Sequence, residues 1–301
     1  MPSLTIHTAT YNRAFILPKA YESLKKQTCK EFEWIITDDG STDNTEELVS
    51  NWLKQDNGFK IIYNKLNHVG IPRALNSGVN LSNTEWFMML DSDDYIKPET
   101  VDRVLSWLDE IKYDESFAGV GFAKCFPNGD FVKPQVPIID PEIGYIDATH
   151  IERKKYNLNM DLCEVHRVSL FKQYPFQYWE TEKFAPEQLN YYEIAMQGYK
   201  LRWRMDKLYI CEYLPTGMTR DDKLVKRNPM GFAMMYNQNI LLSETIKEKV
   251  VNVLRMSALA LYSHNPQYIW KCNSVPLAII TLPVGFVLFL RRKRQYRLLE
   301  D

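Results

Sequence analysis

The chain has 301 residues and a formal net charge of −1, with 45% apolar and 25% charged residues. This composition is that of an ordinary globular protein and allows one large domain, or one domain with an appendage. A net charge so close to zero provides no global basic field, which argues against a nucleic-acid partner. The five cysteines form no CxxC pair. We therefore expect reduced thiols in a cytosolic protein, and the strand-like start predicts no secretory signal.

Short apolar strands and amphipathic helices alternate along the first 110 residues. Strands that are apolar throughout, separated by helices, favour a parallel sheet covered on both faces. The predicted order is strand 3–8, helix 14–27, strand 33–37, helix 45–54, strand 60–63, helix 71–80, strand 85–90 and helix 99–109.

Polar clusters follow each of the four predicted strands, at residues 8–13, 38–43, 64–68 and 91–94. In a parallel α/β sheet, ligands bind outside the carboxyl ends of the strands. The four clusters are therefore predicted to converge on one site.

The rest of the chain is less regular. Residues 110–220 are rich in prolines and are predicted to form a mixed region packed against the sheet, whereas 231–264 are mainly helical. Residues 275–290 carry no charge, and Arg291-Arg292-Lys293-Arg294 follow at once. Sixteen helical residues span about 24 Å, short of the ~30 Å hydrocarbon core, and Pro276 and Pro283 weaken a continuous helix. We predict an interfacial membrane anchor over 275–294; the alternative is a buried core helix with a basic tail.

The stretch 88–98, MMLDSDDYIKP, crowds three carboxylates at the end of an apolar strand. Like charges this close repel each other, and a cation would relieve the repulsion. Asp91 and Asp93 are two residues apart and can address one ligand. This spacing is compatible with Mg²⁺ or Mn²⁺ held jointly by carboxylates and diphosphate oxygens. The alternative is an acidic loop that caps the next helix.

Two other strand ends are candidates for nucleotide contacts. Residues 8–13 (TATYNR) offer hydroxyls, backbone and a Tyr ring for a base and ribose, although a turn and helix cap is the plainer interpretation. In 38–43 (DDGSTD), a carboxylate can accept a uracil N–H or ribose hydroxyls; the alternative is an Asx turn.

The combined series TATYNR, DDGSTDNT, NHVGIPRALNSGV and MLDSDD resembles the family 2 glycosyltransferases of the GT-A fold over about the first 110 residues. The resemblance implies an α/β, mostly parallel sheet flanked by helices, and the apolar segment near the C-terminus adds a helical membrane-associating extension. It implies a catalytic domain over 1–220, with a nucleotide-sugar half (1–110) and an acceptor half (111–220), followed by a helical region over 221–301. By resemblance, Asp93 and Asp91 serve a Mn²⁺ or Mg²⁺ ion. The implied nucleotide contacts are Thr8, Ala9, Thr10, Tyr11, Arg13, Asp38, Asp39, Arg73, Asp91 and Ser92.

That family also has an acidic catalytic motif that opens a helix. Its best counterpart here is Pro186-Glu187-Gln188, in which Gln replaces the usual second acid. Gln cannot take a proton from a hydroxyl, so Glu187 is the predicted base. A glutamate that only serves the helix dipole is the alternative. Glu180, Glu182 and Glu193 are rivals for the role of base, and Glu182, Trp179 and Arg220 are further candidates for phosphate or acceptor contacts.

The resemblance implies an inverting, metal-dependent transfer of sugar from a UDP-sugar to a saccharide acceptor. With the anchor, a lipid-linked acceptor for capsule, exopolysaccharide or lipopolysaccharide is expected, at the cytoplasmic face of the inner or plasma membrane. Exposed helices after residue 231 are compatible with a homodimer. Two alternatives remain: a nucleotidyltransferase, which the absence of a Gly-rich basic loop near the N-terminus disfavours, and a non-catalytic membrane adaptor, which Gln188 favours.

Overall fold

The computed structural model describes residues 2–132, 136–212 and 223–297. They divide into two compact units. The sheet unit comprises the described residues within 1–176 and 190–214, and the helical unit those within 177–189 and 215–301. Residues 177–189, which include the predicted base, thus pack with the C-terminal helices.

The described strands of the sheet unit form one sheet in the order β3-β2-β1-β4-β8-β6-β9-β5, with β7 paired to β9. Their bounds are β1 Leu4–Thr10, β2 Phe32–Asp38, β3 Lys60–Lys65, β4 Trp86–Met89, β5 Tyr95–Ile96, β6 Phe117–Cys125, β7 Ile146–Ala148, β8 Leu162–Arg167 and β9 Lys200–Ile210.

Helices of the sheet unit connect these strands and cover the sheet. They are α1 Pro18–Lys25, α2 Thr45–Leu53, α3 Ile71–Leu81, α4 Thr100–Asp109, α5 Val168–Gln173 and α6 Gln188–Met196, whose first two residues belong to the helical unit. The predicted α/β fold is confirmed, and each strand and helix predicted in the first 110 residues is present. The first helix starts later than predicted, because Pro18 occupies its first turn.

The sheet is mixed. Strands β1 to β4 pair in parallel, as predicted, whereas β8 runs antiparallel to both β4 and β6. The region after residue 110, expected to pack against the sheet, instead extends it. Two glycines in β6 allow this close packing: a Cβ on Gly121 would lie 2.3 Å from the Trp203 ring, and one on Gly119 would lie 1.8 Å from the carbonyl oxygen of Val165.

The helical unit contains α7 Leu224–Arg227, α8 Pro229–Leu241, α9 Ile246–Tyr262 and α10 Val275–Arg297, with a short 3-10 helix over Pro266–Lys271. Helix α10 continues through Pro283 and the basic cluster, so its 23 residues extend about 34 Å. One face packs on α9, where Gly285 approaches Ser257. The other face is exposed, and Ile280 retains 75% of its accessible surface. This exposure argues against the buried core helix considered from the sequence.

Candidate functional site

The loops after β1 and β2 are tied together by Asn12. Its side-chain Oδ1 accepts a hydrogen bond from the backbone amide of Thr42 at 2.8 Å, and its backbone amide donates to Ser41 Oγ at 2.8 Å. Asn12 has a φ of +53°, a left-handed conformation that asparagine tolerates better than most residues. Two of the predicted polar clusters are thus brought together.

The buried Asp38 and Asp39 side chains hold the next loop. Asp38 accepts from the Ser41 amide (2.7 Å) and from Tyr63 Oη (2.5 Å). Asp39 accepts from the amides of Val69 (2.6 Å) and Gly70 (2.9 Å), at the start of α3. Both carboxylates therefore shape the loops after β2 and β3, and their direct contact with a nucleotide stays a prediction.

An aromatic pair lies where these loops meet. The rings of Tyr11 and His68 stack with centroids 4.0 Å apart and an interplanar angle of 16°. Tyr11 is 40% exposed, so its ring is accessible for stacking with a planar base. Thr8, in contrast, is fully buried and its Oγ1 accepts from the Trp34 indole, so its side chain faces the core and not the loops. Thr10 is also buried, and Ala9 is half-buried.

The acidic stretch after β4 has its own set of cationic and hydroxyl partners. Lys124 Nζ lies 3.2 Å from Asp91 Oδ2 and 4.3 Å from the centre of the Tyr209 ring. Tyr209 Oη donates to Asp91 Oδ2 at 3.1 Å and accepts from the Asp91 amide at 2.8 Å. Desolvation would raise the pKa of Asp91, but the Lys124 charge and the hydrogen bonds from Lys124 and Tyr209 outweigh it and lower the pKa.

Arg13 reaches this stretch from the loop after β1. Its Nη1 lies 3.1 Å from Asp93 Oδ2. Burial, together with the neighbouring Asp91 charge, raises the pKa of Asp93. The buried Asp94 accepts from the Glu212 amide at 3.1 Å, and burial followed by the Asp91 charge raises its pKa to about 7. The crowding of carboxylates is thus relieved by the positive charges of Arg13 and Lys124.

These carboxylates suit a hard divalent cation, although the part of the chain that the structure describes has no group of three or more His, Cys, Asp or Glu side chains placed to hold one. Mg²⁺ is commonly bound by one or two carboxylates together with substrate phosphates rather than by a protein cage. The donor set after β4 therefore fits an ion that binds together with a diphosphate.

Of the other predicted site residues, Arg73 and Ser92 lie in the sheet unit. Arg73, in the first turn of α3, donates from Nη1 to the Val69 carbonyl at 3.0 Å. Ser92 is buried between the two aspartates of the motif. Arg220 lies outside the described residues.

In the helical unit, Glu182 stabilises the start of α8. Its two oxygens accept from the amides of Met230 and Gly231, each at 2.7 Å. Burial raises the pKa of Glu182, and the two amide bonds oppose that shift. Trp179 packs edge-on against Tyr268 at 5.6 Å. These side chains have structural partners, and we propose neither as a substrate contact.

Glu187 is half-buried and directly precedes α6, and its role as the base stays a prediction. The neighbouring Gln188 donates from Nε2 to Asn239 Oδ1 at 2.7 Å. The residue that replaces the usual second acid therefore has a structural role within the helical unit.

Comparisons with known proteins agree with this arrangement. The chain is 34% identical over 125 residues to the GalNAc(5)-diNAcBac-PP-undecaprenol beta-1,3-glucosyltransferase of Campylobacter jejuni; this match covers 42% of the chain and 38% of that enzyme. It is 33% identical over 104 residues to the putative glycosyltransferase EpsH of Bacillus subtilis, covering 35% of the chain and 30% of that protein. Each match thus spans only about a third of the relative's own length.

Solved structures show the same fold at low sequence identity. Residues 1–349 of TarS from S. aureus, in complex with UDP-GlcNAc, superpose with a TM-score of 0.60 at 20% identity, covering 95% of this chain and 80% of that one. A mannosyltransferase from Pyrobaculum calidifontis, in complex with GDP-Man and Mn²⁺, gives a TM-score of 0.53 at 16% identity. The superposition covers 98% of this chain and 83% of that one.

The family model described as glycosyl transferase family 2 matches residues 5–174, which is more than half of the chain. The matched range includes the loops after β1 to β4 and the strand β8. The predicted resemblance is confirmed, and the family match disfavours the nucleotidyltransferase alternative. The chain belongs to glycosyl transferase family 2.

Proposed function

We propose that this protein transfers a sugar from a UDP-sugar to a saccharide acceptor, with inversion at the anomeric carbon. The observation that carries the proposal is the convergence of the loops after β1, β2 and β3 with the acidic stretch after β4. Arg13 links the first of these loops to Asp93, and Asp39 links the second to the third. The loops supply an exposed aromatic ring, and the acidic stretch supplies carboxylates with cationic partners, which suits a nucleoside diphosphate.

In the proposed mechanism, Glu187 accepts the proton of the acceptor hydroxyl, and the hydroxyl oxygen attacks the anomeric carbon. The bond between that carbon and the diphosphate oxygen breaks, and its electron pair leaves with UDP. Direct displacement of this kind requires no protein nucleophile and inverts the anomeric configuration. Glu187 is assigned by its place in the family motif, and a positioned base contributes about 10²–10⁴-fold in rate.

Asp93 is the proposed ligand for Mn²⁺ or Mg²⁺, and Asp91 is proposed to contact the ribose or a water on the ion. When bound, such a cation stabilises the negative charge that develops on the departing diphosphate. Lys124 and Tyr209 keep Asp91 oriented, and Arg13 is close enough to the acidic stretch to pair with either Asp93 or a phosphate oxygen.

We further propose that the acceptor is lipid-linked and that α10 lies in the membrane interface on the cytoplasmic face. One face of α10 is exposed and apolar, and Arg291 and Arg294 continue that face at helical spacing. Arginines at the end of an apolar stripe suit anionic headgroups. The exposed apolar residues are Ile279, Ile280, Val284, Phe286, Val287 and Leu290.

An interfacial position fits the packing of α10 better than a span. Helix α10 is long and apolar enough to cross a bilayer by length and composition. However, it packs along α9, which carries four charged residues, among them the exposed Arg255. If α10 crossed the bilayer, either α9 would bring its charged residues toward the hydrocarbon or α10 would lose its contacts with α9. Each outcome costs free energy. A lipid-linked substrate is named for the Campylobacter relative, which supports an acceptor at the membrane surface.

The test is a turnover assay of the full chain with a panel of UDP-sugars, Mn²⁺ and octyl glycosides of glucose, galactose and N-acetylglucosamine. UDP release that depends on the glycoside, with a product of inverted anomeric configuration by NMR, is the expected result. A glycoside product with retained anomeric configuration would contradict direct displacement. Absence of turnover with the whole panel, with UDP binding also absent, would contradict the proposed donor class.

A further inference from the structure

Glu164 lies beside the end of β4, on the flank opposite the nucleotide loops. Strand β4 is paired with β1 on one side and with β8 on the other. The antiparallel register places Met88 opposite Val165. Continuing it by one residue places Glu164 next to Met89, two residues before Asp91. The Cys163 thiol, 3.9 Å from the Met89 carbonyl oxygen, supports this alignment.

The Glu164 side chain is largely buried but loosely partnered. It is 10% exposed, and its Oε1 lies 3.5 Å from Nη1 of Arg153. That separation is longer than an ordinary N–H···O hydrogen bond, which is about 2.7–3.2 Å. A carboxylate has about four acceptor sites, so this contact uses little of the capacity of Glu164.

Arg153 is fixed mainly by other groups. Its guanidinium donates to the carbonyls of Leu158 (3.0 Å) and Met160 (2.6 Å) and lies 4.9 Å from the centre of the Trp203 ring. Arg153 therefore does not need Glu164 to hold its position. If Glu164 had only a structural role, it would be a counter-ion for Arg153 at a distance of 3.5 Å.

Electrostatics connect Glu164 to the acidic stretch. Burial raises the pKa of Glu164 to about 7, while the charges of Arg153 and Lys124 lower it and Asp161 raises it. Lys124 is the same cation that pairs with Asp91. Lys124 thus acts electrostatically on both Asp91 and Glu164. Because β8 flanks β4 on the side away from the nucleotide loops, we expect the sugar end of the donor, or the acceptor, on this side.

We propose that Glu164 binds a saccharide hydroxyl group in the transferase site. This inference rests on the proposed function. Sugar hydroxyls are hydrogen-bond donors, and a largely buried carboxylate with open acceptor sites binds them more strongly than water-exposed groups do. The hydroxyl belongs either to the donor sugar or to the acceptor, and the two sources make different predictions.

The experiment compares Glu164→Gln with the wild type in two assays. Calorimetry with Mn²⁺ measures the affinity for UDP and for the best UDP-sugar of the panel. If the donor sugar is the ligand, the variant binds the UDP-sugar roughly 10- to 100-fold more weakly, with UDP affinity unchanged. If the acceptor is the ligand, donor binding is unchanged and the KM for the octyl glycoside rises by a similar factor, while kcat changes by less than about threefold. Either result supports the proposal.

Two further variants keep the result interpretable. Asp161→Asn removes a neighbouring negative charge just before β8. It is expected to leave the affinity for the UDP-sugar and the KM for the octyl glycoside unchanged. Glu164→Asp keeps the charge beside Arg153 but withdraws the carboxylate by one methylene, and it is expected to weaken sugar binding even if the Gln variant folds poorly. Normal affinities and KM values in a folded variant, with only a lower thermal midpoint, would overturn the proposal and leave Glu164 as a counter-ion. A wild type that binds neither UDP nor any UDP-sugar would refute the proposed function itself.

Discussion

Tyr209 and Asp91 are joined twice: the tyrosine hydroxyl donates to Asp91 Oδ2 at 3.1 Å and accepts from the Asp91 amide at 2.8 Å. Tyr209 is fully buried in β9, so it fixes both the backbone and the side chain at the first position of the acidic motif. The motif after β4 is thereby oriented by a strand that lies more than 110 residues further along the chain.

We predict that Tyr209→Phe weakens nucleotide binding as well as stability. The substitution leaves the Asp91 amide without its acceptor, which costs about 1–3 kcal/mol. The Asp91 carboxylate, which is 58% exposed and keeps its contact with Lys124, loses an orienting hydrogen bond. We expect UDP affinity in the presence of Mn²⁺ to fall by about tenfold or more in calorimetry. The exposed Tyr113→Phe is the matched control and should bind like the wild type.

Glu187→Gln and Glu182→Gln are predicted to separate catalysis from folding. Glu187→Gln removes the proposed base, so kcat should fall about 10²–10⁴-fold while UDP-sugar binding and the urea midpoint stay unchanged. A normal kcat in the Glu187→Gln variant would exclude this residue as the base.

Glu182→Gln should show the opposite pattern. It keeps one acceptor oxygen for a neutral hydrogen bond but places an NH2 group against the other backbone amide, so one charge-assisted bond at the start of α8 is lost; such a bond contributes about 1.5–3 kcal/mol. We expect the free energy of unfolding to fall by about 2 kcal/mol, with UDP affinity unchanged. Loss of UDP affinity in a fully folded variant would instead restore Glu182 as a substrate contact.

Buried histidines should contribute a loss of stability as the pH falls. Burial lowers the pKa of His7 and of His166 to about 3 each, below the ~6.5 of an unfolded chain. Both are therefore neutral when folded, so stability is fully present above about pH 6.5 and is lost as the pH falls below it. Each contributes about 1.4 kcal/mol per pH unit in that window. Between pH 7.5 and pH 5.5 these two histidines together should contribute a loss of about 2–3 kcal/mol in the free energy of unfolding. Asp94 and Glu164, whose folded pKa values are raised to about 7, gain stability over the same interval and oppose this loss.

A single substitution checks the origin of this pH dependence. His166 packs against Phe171 with ring centroids 4.7 Å apart, so Phe is a reasonable replacement. His166→Phe should make the change in the free energy of unfolding from pH 7.5 to pH 5.5 more favourable than in the wild type by about 1.4 kcal/mol. An unchanged difference would assign the acid sensitivity to other groups.

Membrane binding should depend on the exposed face of α10. Replacing both Ile280 and Val287 by Glu places charges on the apolar stripe and should reduce binding to phosphatidylglycerol vesicles more than tenfold. Ile246→Glu is the control, because Ile246 is equally exposed but lies at the start of α9. Equal flotation of the double variant and the wild type would contradict the interfacial anchor.

The parallel half of the fold was predictable because its signals are local. Apolar runs such as 33–37 and the polar residues that follow them indicate strand, loop and helix without knowledge of the partner strand. The four loops were therefore assigned to one edge of the sheet from sequence alone. The position of Asp91 and Asp93 follows directly from the end of β4.

The rest of the site depends on long-range pairing that has no local signature. Lys124 is a single charge in the apolar run of β6, which was a usable signal, but its contact with Asp91 depends on how β6 is placed beside β8 and β9. Glu182 illustrates a partner that the sequence does not reveal. The sequence places it in a cluster of acids, and no local pattern predicts its hydrogen bonds with backbone amides 48 and 49 residues later.

The most direct test of the central claim is calorimetric titration of the full chain with UDP, with and without Mn²⁺, for the wild type and Asp93→Asn. We predict tight binding only when the wild type and Mn²⁺ are present together, with affinity at least tenfold lower when either is missing. Binding of UDP that is equally tight without Mn²⁺ and in the Asp93→Asn variant would contradict the assignment of the motif after β4 to a metal-bound diphosphate.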